Sequence, residues 1–243
     1  MNVSLEGKSI AVTGAESGIG RAIALECAAS GATPVLIGLV KDGLDETAGL
    51  IRSEHGISAR VEVADITDEP RMDRLFADLA AGPGLDGLAA NAGRSQRMVP
   101  SVELGLDEWR SVIDVNLTGT FITLRTAARA MRAKGGSIIV TGSSTAERPL
   151  PDLASKAGVH ALVRALAREF APEIRINLLV PGTTDTPFTR AIPGHLDRIA
   201  SNMPMKSVVQ PEELARMAAF ALSDQVPHMT GSSLLVDAGR SAL

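Results

Sequence analysis

The stretch Thr13-Gly-Ala-Glu-Ser-Gly-Ile-Gly20 joins a short apolar run to an amphipathic one. The run Ser9 to Thr13 predicts a buried strand, and Ile19 to Ser30, which stops before Gly31, predicts a helix. Glycines at such a turn let backbone N–H groups reach a pyrophosphate at the helix N-terminus, where side chains would block it. A tight turn with close helix packing is the structural alternative, and the strand-to-helix context favours phosphate binding. We therefore expect a dinucleotide site that includes Gly14, Glu16, Ser17, Gly18, Ile19 and Gly20.

Short β-rich runs alternate with helical patterns along the rest of the chain. Seven such runs are Ser9 to Thr13, Pro34 to Ile37, Arg60 to Val63, Gly87 to Ala90, Ser137 to Thr141, Arg175 to Val180 and Ser233 to Val236. Their mostly continuous apolar character predicts strands buried on both faces of a parallel sheet. We predict an α/β, Rossmann-like doubly wound fold, in which a single domain over residues 1–243 has a seven-stranded parallel sheet with helices on both faces.

Composition narrows the classes of partner. The chain has 243 residues, of which 45% are hydrophobic, enough for one sizeable core. Its 24 basic and 28 acidic residues give a net charge of -4 and no electrostatic surface for nucleic acid. Cys27 is the only cysteine, so an internal disulfide is impossible and a small core residue is expected. The lone cysteine favours a reducing compartment, and the N-terminal residues Met1 to Lys8 have no apolar signal region, so we predict a cytoplasmic location. No run is long and apolar enough to cross a bilayer, so no membrane span is expected, and no metal site is predicted.

One long segment has neither strand nor helix periodicity. It begins at the Pro181-Gly182 pair, carries Pro187, Pro193 and Gly194, and ends before the helix that opens at Pro211. Long irregular connections in compact domains are commonly active-site lids. We therefore predict a lid over about residues 183–210.

Five motifs occur in order along the chain. They are Thr13-Gly-Ala-Glu-Ser-Gly-Ile-Gly20, Ala64-Asp65-Ile-Thr67, Asn91-Ala-Gly93, Asp114-Val-Asn-Leu-Thr-Gly-Thr-Phe121 and Pro181-Gly-Thr-Thr-Asp-Thr-Pro187. Together they resemble the short-chain dehydrogenase/reductase family over essentially the whole chain. The resemblance implies hydride transfer between NAD(P)(H) and a carbonyl or secondary alcohol of an unknown small molecule. It also implies a homo-oligomer, either a dimer or a tetramer, packed through helices around Asp107 to Lys134 and Asp152 to Phe170.

The resemblance also assigns roles to residues. It implies that Asp65 and Ile66 contact the adenine, although a helix N-cap cluster ahead of Glu69 is compatible with the same pattern. Asn116, a poor helix former within a helical run, resembles the family's structural and proton-relay asparagine. The adenosine ribose is then bordered by Asn91, Ala92 and Gly93, and the nicotinamide carboxamide by Pro181, Gly182, Thr183 and Thr186.

The chain departs from the family at the catalytic residues. In the family a serine polarises the substrate oxygen, a tyrosine passes its proton, and a lysine lowers the tyrosine pKa and holds the ribose hydroxyls. Ser143 and Ser144 follow the fifth strand and Lys156 begins the next helix pattern, but Asp152 occupies the tyrosine position. The chain has no tyrosine, and residues 145–151 form a shorter loop than the family's.

This substitution changes the proton chemistry. An unperturbed aspartate titrates near ~4 and a tyrosine near ~10, and an adjacent lysine lowers the carboxyl pKa further. An ionised carboxylate has no proton to donate, so we expect a loss of about 10² to 10⁴ in rate. By sequence the other candidates are the Ser143 and Ser144 hydroxyls, Glu147, Arg148, His160 and His195. A surface or interface position is the competing interpretation of both histidines.

The usual selector of the adenosine ribose is also missing. An acidic residue after the second strand binds the ribose, or a basic one accepts a 2′-phosphate. Gly38 and Leu39 fill these positions, although a shifted alignment would bring in Lys41 or Asp42. Glu16 puts a negative charge near a 2′-phosphate and so slightly favours NAD over NADP, unless it is a solvated surface residue.

Three functions follow from these observations. The first is an oxidoreductase with an altered relay of Asn116, Ser143 or Ser144, Asp152 and Lys156. The second is a catalytically silent dinucleotide-binding protein with a structural or regulatory role in an oligomer. The third is a lyase or isomerase that uses Asp152 as its base.

Overall fold

The computed structural model describes residues 3–94, 100–144, 154–191 and 194–242. Within these ranges seven strands form one sheet in the order β3-β2-β1-β4-β5-β6-β7, and every neighbouring pair is parallel. The predicted doubly wound fold is confirmed, and each strand lies within one residue of its predicted bounds. The strands are β1 (Ser9–Thr13), β2 (Thr33–Gly38), β3 (Arg60–Val63), β4 (Gly87–Ala90), β5 (Gly136–Thr141), β6 (Ile174–Pro181) and β7 (Ser233–Val236).

Helices cover both faces of the sheet. They are α1 (Gly18–Ala29), α2 (Lys41–His55), α3 (Glu69–Ala81), α4 (Leu106–Ile113), α5 (Thr120–Met131), α6 (Ala154–Phe170), α7 (Pro187–Arg190), α8 (His195–Asn202) and α9 (Pro211–Leu222). A π-helical segment, Asp114–Gly119, joins α4 to α5, so the expected long helix from Asp107 has a locally widened turn in its middle. No helix within the described ranges is long and apolar enough to cross a membrane.

Successive side chains of each strand point to opposite faces of the sheet, so the core consists of two clusters, one on each face. In β1, Ala11 faces the cluster that includes Phe76 of α3, while Ile10 and Val12 face the cluster beneath α1 and α9. Cys27 of α1 is fully buried in the second cluster, as predicted, and burial raises the pKa of its thiol to about 12. The thiol therefore stays protonated and acts as a small apolar side chain.

The two edge strands correct one expectation. Burial on both faces was predicted for all seven strands, but in the single chain β3 is only half-buried and Leu235 of β7 is 47% exposed. An edge strand has a neighbour on one side only, and fewer helices cover it. The continuous apolar sequence of β7 therefore resembles that of a buried strand, although its side chains are only partly buried.

The strand order also fixes where a ligand can bind. The chain runs from β1 outward to β3 and then returns to β4 on the other side of β1. Ligands of open α/β sheets bind at this switch point, beyond the carboxyl ends of the strands. These ends are Thr13, Ala90, Thr141 and Pro181. The glycine turn, the Asn91 turn and the Pro181-Gly182 motif lie at or just after three of them, whereas Ala64-Asp65 follows β3 and the Asn116 motif lies between α4 and α5.

Candidate active site

The glycine turn after β1 is as tight as its sequence predicts. Gly14 has a φ of +69°, and a Cβ there would lie 3.0 Å from the Cα of Ala92. A Cβ on Gly20 would lie 2.0 Å from the carbonyl oxygen of Gly14, so only glycine lets α1 approach the strand. Ser17 is the N-cap of α1 but makes no capping bond with its side chain. The first-turn N–H groups of α1 are therefore open to an anion.

Two threonines hold the Asn91 turn beside this loop. The Thr13 hydroxyl oxygen accepts hydrogen bonds from the N–H groups of Asn91 and Ala92, both at 3.0 Å. The Thr141 hydroxyl donates to Asn91 Oδ1 at 3.1 Å. Both threonines end parallel strands, and that position was the available signal, but sequence reasoning did not select them. They tie β1, β4 and β5 together at the floor of the site.

Asn116 lies mid-helix, as predicted, and within the π-helical segment. Its Oδ1 accepts from the Arg94 N–H at 2.8 Å, and its Nδ2 donates to the Arg94 carbonyl at 2.9 Å and to Ser155 Oγ at 3.3 Å. The side chain is buried, and every one of these bonds joins it to the chain around the cleft. π-helical turns inside α-helices are frequent at functional sites. Ser155 and Arg94 were not predicted as its partners.

Lys156 projects from the first turn of α6. Its Nζ donates to the carbonyl oxygen of Thr141 at 2.9 Å. Burial of the amine lowers the pKa of Lys156 to about 8, because desolvation disfavours the ammonium form. A Cβ added to Gly93 would lie 3.6 Å from Nζ, so the amine is close to the turn after β4. A titratable amine thus stands between the ends of β4 and β5.

The two candidate serines have different environments. Ser143 lines the cleft, and its N–H donates to His160 Nε2 at 3.4 Å. Ser144 is 2% exposed, and no described residue makes a hydrogen bond to its Oγ. A surface or interface position was the competing interpretation of His160. The contact with Ser143 instead places His160 against the wall of the site, because α6 passes behind the turn after β5. Asp152, Glu147 and Arg148 lie outside the described residues, as does the side chain of His195.

Asp65 and its neighbours border the adjoining part of the groove. The Asp65 carboxylate accepts from the Thr67 N–H and hydroxyl, both at 2.8 Å. The N-cap of α3 is Asp68, which accepts from the Arg71 N–H at 3.0 Å. Asp65 therefore closes its own turn and does not cap the helix. Both Asp65 and Ile66 line the groove.

The segment predicted as a lid begins at the cleft. Thr186 caps α7 in a reciprocal arrangement with Thr189, and a Cβ on Gly18 would lie 3.3 Å from the Thr186 methyl group. Arg240, near the C-terminus, donates to Thr183 Oγ1 at 3.2 Å, a contact with no signal in the sequence. A bridge between Thr184 and Val209 joins the two ends of the segment. Its motion as a lid stays a prediction.

The predicted residues gather around two adjoining cavities of about 480 and about 1000 Å³. The cavities share Gly14, Glu16, Ala92, Gly93 and Arg94, so they form one groove. Predicted residues that line it are Gly14, Glu16, Ser17, Gly18, Ile19, Asp65, Ile66, Asn91, Ala92, Gly93, Asn116, Ser143, Lys156, Pro181, Gly182, Thr183 and Thr186. Gly20 and Ser144 are buried beside the groove and do not line it.

Known proteins match the chain over nearly its full length. A family model described as enoyl-(acyl carrier protein) reductase matches residues 14–241. Cis-4-hydroxycyclohexanecarboxylate dehydrogenase of Sinomonas cyclohexanicum is 38% identical over 240 residues, covering 96% of each protein. Galactitol 2-dehydrogenase of Rhizobium johnstonii is 36% identical over 251 residues, covering 97% of this chain and 95% of that protein.

Solved structures share the fold. A short-chain type dehydrogenase/reductase from Mycobacterium marinum has a TM-score of 0.93 at 29% identity, covering 100% of this chain and 98% of that one. A provisionally assigned NAD(P)-dependent gluconate 5-dehydrogenase from Beutenbergia cavernae has a TM-score of 0.92 at 35% identity, covers 100% of both chains, and holds NADP at low occupancy. The glycine turn, the strand order and the match over residues 14–241 agree, and the chain belongs to the short-chain dehydrogenase/reductase family.

Proposed function

We propose that this protein transfers hydride between a nicotinamide dinucleotide and a carbonyl or secondary alcohol, through a proton relay that does not use tyrosine. One observation carries the proposal: the Lys156 amine, the Asn116 turn and the glycine turn meet in one groove beyond the carboxyl ends of β1, β4 and β5. The relatives named as dehydrogenases of cyclic and polyol alcohols support the same reaction class.

The residues of the groove fit a dinucleotide. A Cβ at Gly14 or Gly20 would meet backbone atoms at 3.0 and 2.0 Å, so the glycine turn keeps its N–H groups accessible to phosphate. Glu16 lines both cavities of the groove and adds a carboxylate that can accept a ribose hydroxyl. Of the residues present, Gly18 and Ile19 would hold the pyrophosphate, and Lys156 the nicotinamide ribose.

When bound, the dinucleotide supplies or accepts the hydride. Lys156 makes one hydrogen bond within the described residues, so two of its three N–H bonds remain for a ribose hydroxyl and a substrate oxygen. With a pKa of about 8 the amine carries a proton at neutral pH and can release it. We propose that Lys156 holds the proton that tyrosine holds elsewhere in the family.

We assign the hydroxyl that polarises the substrate oxygen to Ser143, which lines the groove together with Lys156. The neighbouring Ser144 is buried behind the groove, where a substrate oxygen does not reach its Oγ. Asn116 holds the Arg94 turn against α6 and thereby keeps the wall of the groove in position.

A second candidate is a dinucleotide-binding protein that does not turn over. The observation that favours it is the composition: the chain has no tyrosine, and Asp152 stands four residues before Lys156. In that case the groove would bind cofactor and serve assembly or regulation. The relay residues Lys156 and Asn116 would then have only binding and structural roles.

Stopped-flow absorbance separates the two candidates. NADH and NADPH are each mixed with the protein and a panel of cyclic and polyol ketones, and wild type is compared with Asp152→Tyr and with Lys156→Met. We expect slow but protein-dependent oxidation in wild type, faster oxidation in Asp152→Tyr, and none in Lys156→Met. Cofactor binding by calorimetry without oxidation in wild type would support the silent protein instead.

A further inference from the structure

The carboxylate of Glu16 lies across the end of β2. Its Oε1 accepts a hydrogen bond from the Leu39 N–H at 3.3 Å. A Cβ built on Gly38 would lie 2.1 Å from Oε2, so the carboxylate occupies the space that a side chain at position 38 would need. Oε2 is buried and receives no hydrogen bond from any described residue, which leaves Oε1 as the carboxylate oxygen that a ligand can reach. Glu16 lines the groove, and Oε1 keeps a further lone pair for a donor there.

Contacts with α1 and α2 fix this arrangement. Arg21 of α1 donates from Nη2 to the Glu16 carbonyl oxygen at 2.7 Å. Thr47 of α2 donates from its hydroxyl to the Ala15 carbonyl oxygen at 2.9 Å. A Cβ on Gly43 would lie 2.9 Å from the Glu16 Cβ, so α2 packs directly on the turn. The position of the carboxylate is therefore set before any ligand binds, which reduces the entropy lost on binding.

The location of Glu16 matches a missing part of the dinucleotide site. In dinucleotide-binding folds an acidic residue about 20 residues beyond the glycine turn accepts the 2′-hydroxyl of the adenosine ribose. Here that place is taken by Gly38 and Leu39, which line the same cavity of about 1000 Å³ as Glu16. The cavity continues to Asp65 and Ile66, so Glu16 borders it at the end nearest the phosphate-binding turn.

We propose that Glu16 supplies the ribose-binding carboxylate from within the glycine turn, and that it makes the protein prefer NAD to NADP. The 2′-hydroxyl of NAD donates to Oε1, beside the Leu39 N–H. A 2′-phosphate brings about two negative charges to the same carboxylate and has no proton to donate at neutral pH. The inference rests on the proposed function, because it requires that the groove holds a dinucleotide.

Gly38 leaves open the space that the Glu16 carboxylate occupies. A side chain at position 38 would begin 2.1 Å from Oε2, so an acidic residue there is incompatible with the present position of Glu16. Removal of the Glu16 side chain should therefore make room for an acidic residue at the end of β2. A variant with the carboxylate moved from residue 16 to residue 38 should regain the preference that the single loss removes.

Calorimetric titration with NADH and with NADPH tests the proposal. We expect wild type to bind NADH at least about tenfold more tightly than NADPH, since a hydrogen bond to a charged group is worth that much. Glu16→Gln should weaken NADH about tenfold and bring the two affinities together. Glu16→Ala/Gly38→Asp should restore the NADH preference, whereas Gly38→Asp alone should weaken binding of both cofactors. Asp78→Asn, which removes an exposed charge of α3 away from the groove, should change neither affinity.

Two outcomes overturn the inference while the proposed function stands. The first is equal binding of NADH and NADPH by wild type. The second is a preference for NADH that Glu16→Gln leaves unchanged. Loss of that preference in Asp42→Asn would point the same way, because Asp42 is the acidic residue of the shifted alignment. If wild type binds neither cofactor, the proposed function itself fails. The midpoint of thermal unfolding of each variant, compared with that of wild type, shows whether a variant that loses cofactor binding is still folded.

Discussion

At the scale of single residues, the supply of a proton is the chemical problem that this chain must solve. The chain has no tyrosine, and the family resemblance puts Asp152 at the tyrosine position. Lys156 has a pKa of about 8 and lies against the strand end that forms the floor of the cleft. We therefore propose that the acid is Lys156 itself and not the side chain four residues before it.

The pH dependence of carbonyl reduction follows from this assignment. The donor must be protonated, and burial has lowered the pKa of Lys156 to about 8. We expect kcat/KM for reduction to be constant below this pH and to fall about tenfold per unit above it, because kcat/KM reports the free enzyme. The opposite sign holds for alcohol oxidation. Lys156→Arg keeps the charge but cannot release a proton near neutral pH, so it should lose about 10² or more in rate without a break in the profile.

A profile for wild type that is flat through pH 8, or one whose break persists in Lys156→Arg, would assign the proton to another group. Initial rates over a range of buffers at constant ionic strength give this profile.

The two serines after β5 give a prediction that separates activity from stability. Ser143 lines the groove, so Ser143→Ala should lower kcat by about 10², because its hydroxyl polarises the substrate oxygen. Ser144→Ala is the neighbouring control: its buried Oγ lacks a described partner, so this variant should gain up to about 1 kcal/mol in the free energy of unfolding and keep its kcat. Urea denaturation and steady-state rates check both; a fully active Ser143→Ala protein, or an inactive but folded Ser144→Ala protein, would contradict the assignment.

At the scale of elements, the glycine turn between β1 and α1 is the part of the site with the least room. Gly20→Ala would put a Cβ 2.0 Å from the Gly14 carbonyl oxygen, and overpacking of this kind costs about 1 to 3 kcal/mol. We expect a lower midpoint of thermal unfolding and loss of measurable NADH binding. Gly49→Ala in the middle of α2 is the matched control, because its Cβ would have nothing within 4 Å.

We expect Gly49→Ala to raise the free energy of unfolding by about 0.5 to 1 kcal/mol, since alanine is the better helix former, and to bind NADH as wild type does. Equal effects of the two substitutions would mean that the space around Gly20 does not govern the turn.

The elements were largely predictable because their signals are local. Strands buried on both faces are continuous apolar runs, and all seven were found within one residue of their bounds. The π-helical turn at Asp114–Gly119 was not predicted, because no local pattern marks it. The partners of its Asn116, Arg94 and Ser155, are distant in sequence. The short helices α7 and α8 lie in a segment whose prolines and glycines obscured any periodicity.

The candidate site was less predictable than the fold. Motif residues such as Gly14, Asn91 and Lys156 were found because each has a required place relative to a strand end. Thr13 and Thr141 were missed because a threonine that ends a strand is also an ordinary β-forming residue. Arg240 reaches the site from the far end of the chain, and only tertiary structure brings it to Thr183.

At the scale of the whole molecule, two separate exposed apolar regions indicate that copies of the chain assemble. The edge strand β7 exposes 47% of Leu235, and Phe121 of α5 is 40% exposed. Exposed edges and apolar side chains of this kind are commonly covered by a second subunit. We propose a homo-oligomer and expect sedimentation velocity to give the mass of two or four chains of 25.3 kDa. A single species at the mass of one chain, at micromolar concentration, would contradict it.

Transfer of a label from the cofactor shows whether the groove, without any tyrosine, carries out hydride transfer. NADH with deuterium at both positions of the reactive carbon of the nicotinamide is incubated with the protein and a mixture of cyclic and polyol ketones, and the alcohols formed are analysed by mass spectrometry. We expect an alcohol that gains one deuterium with wild type and none with Lys156→Met. Absence of labelled alcohol from wild type that binds NADH in calorimetry would contradict hydride transfer by this protein.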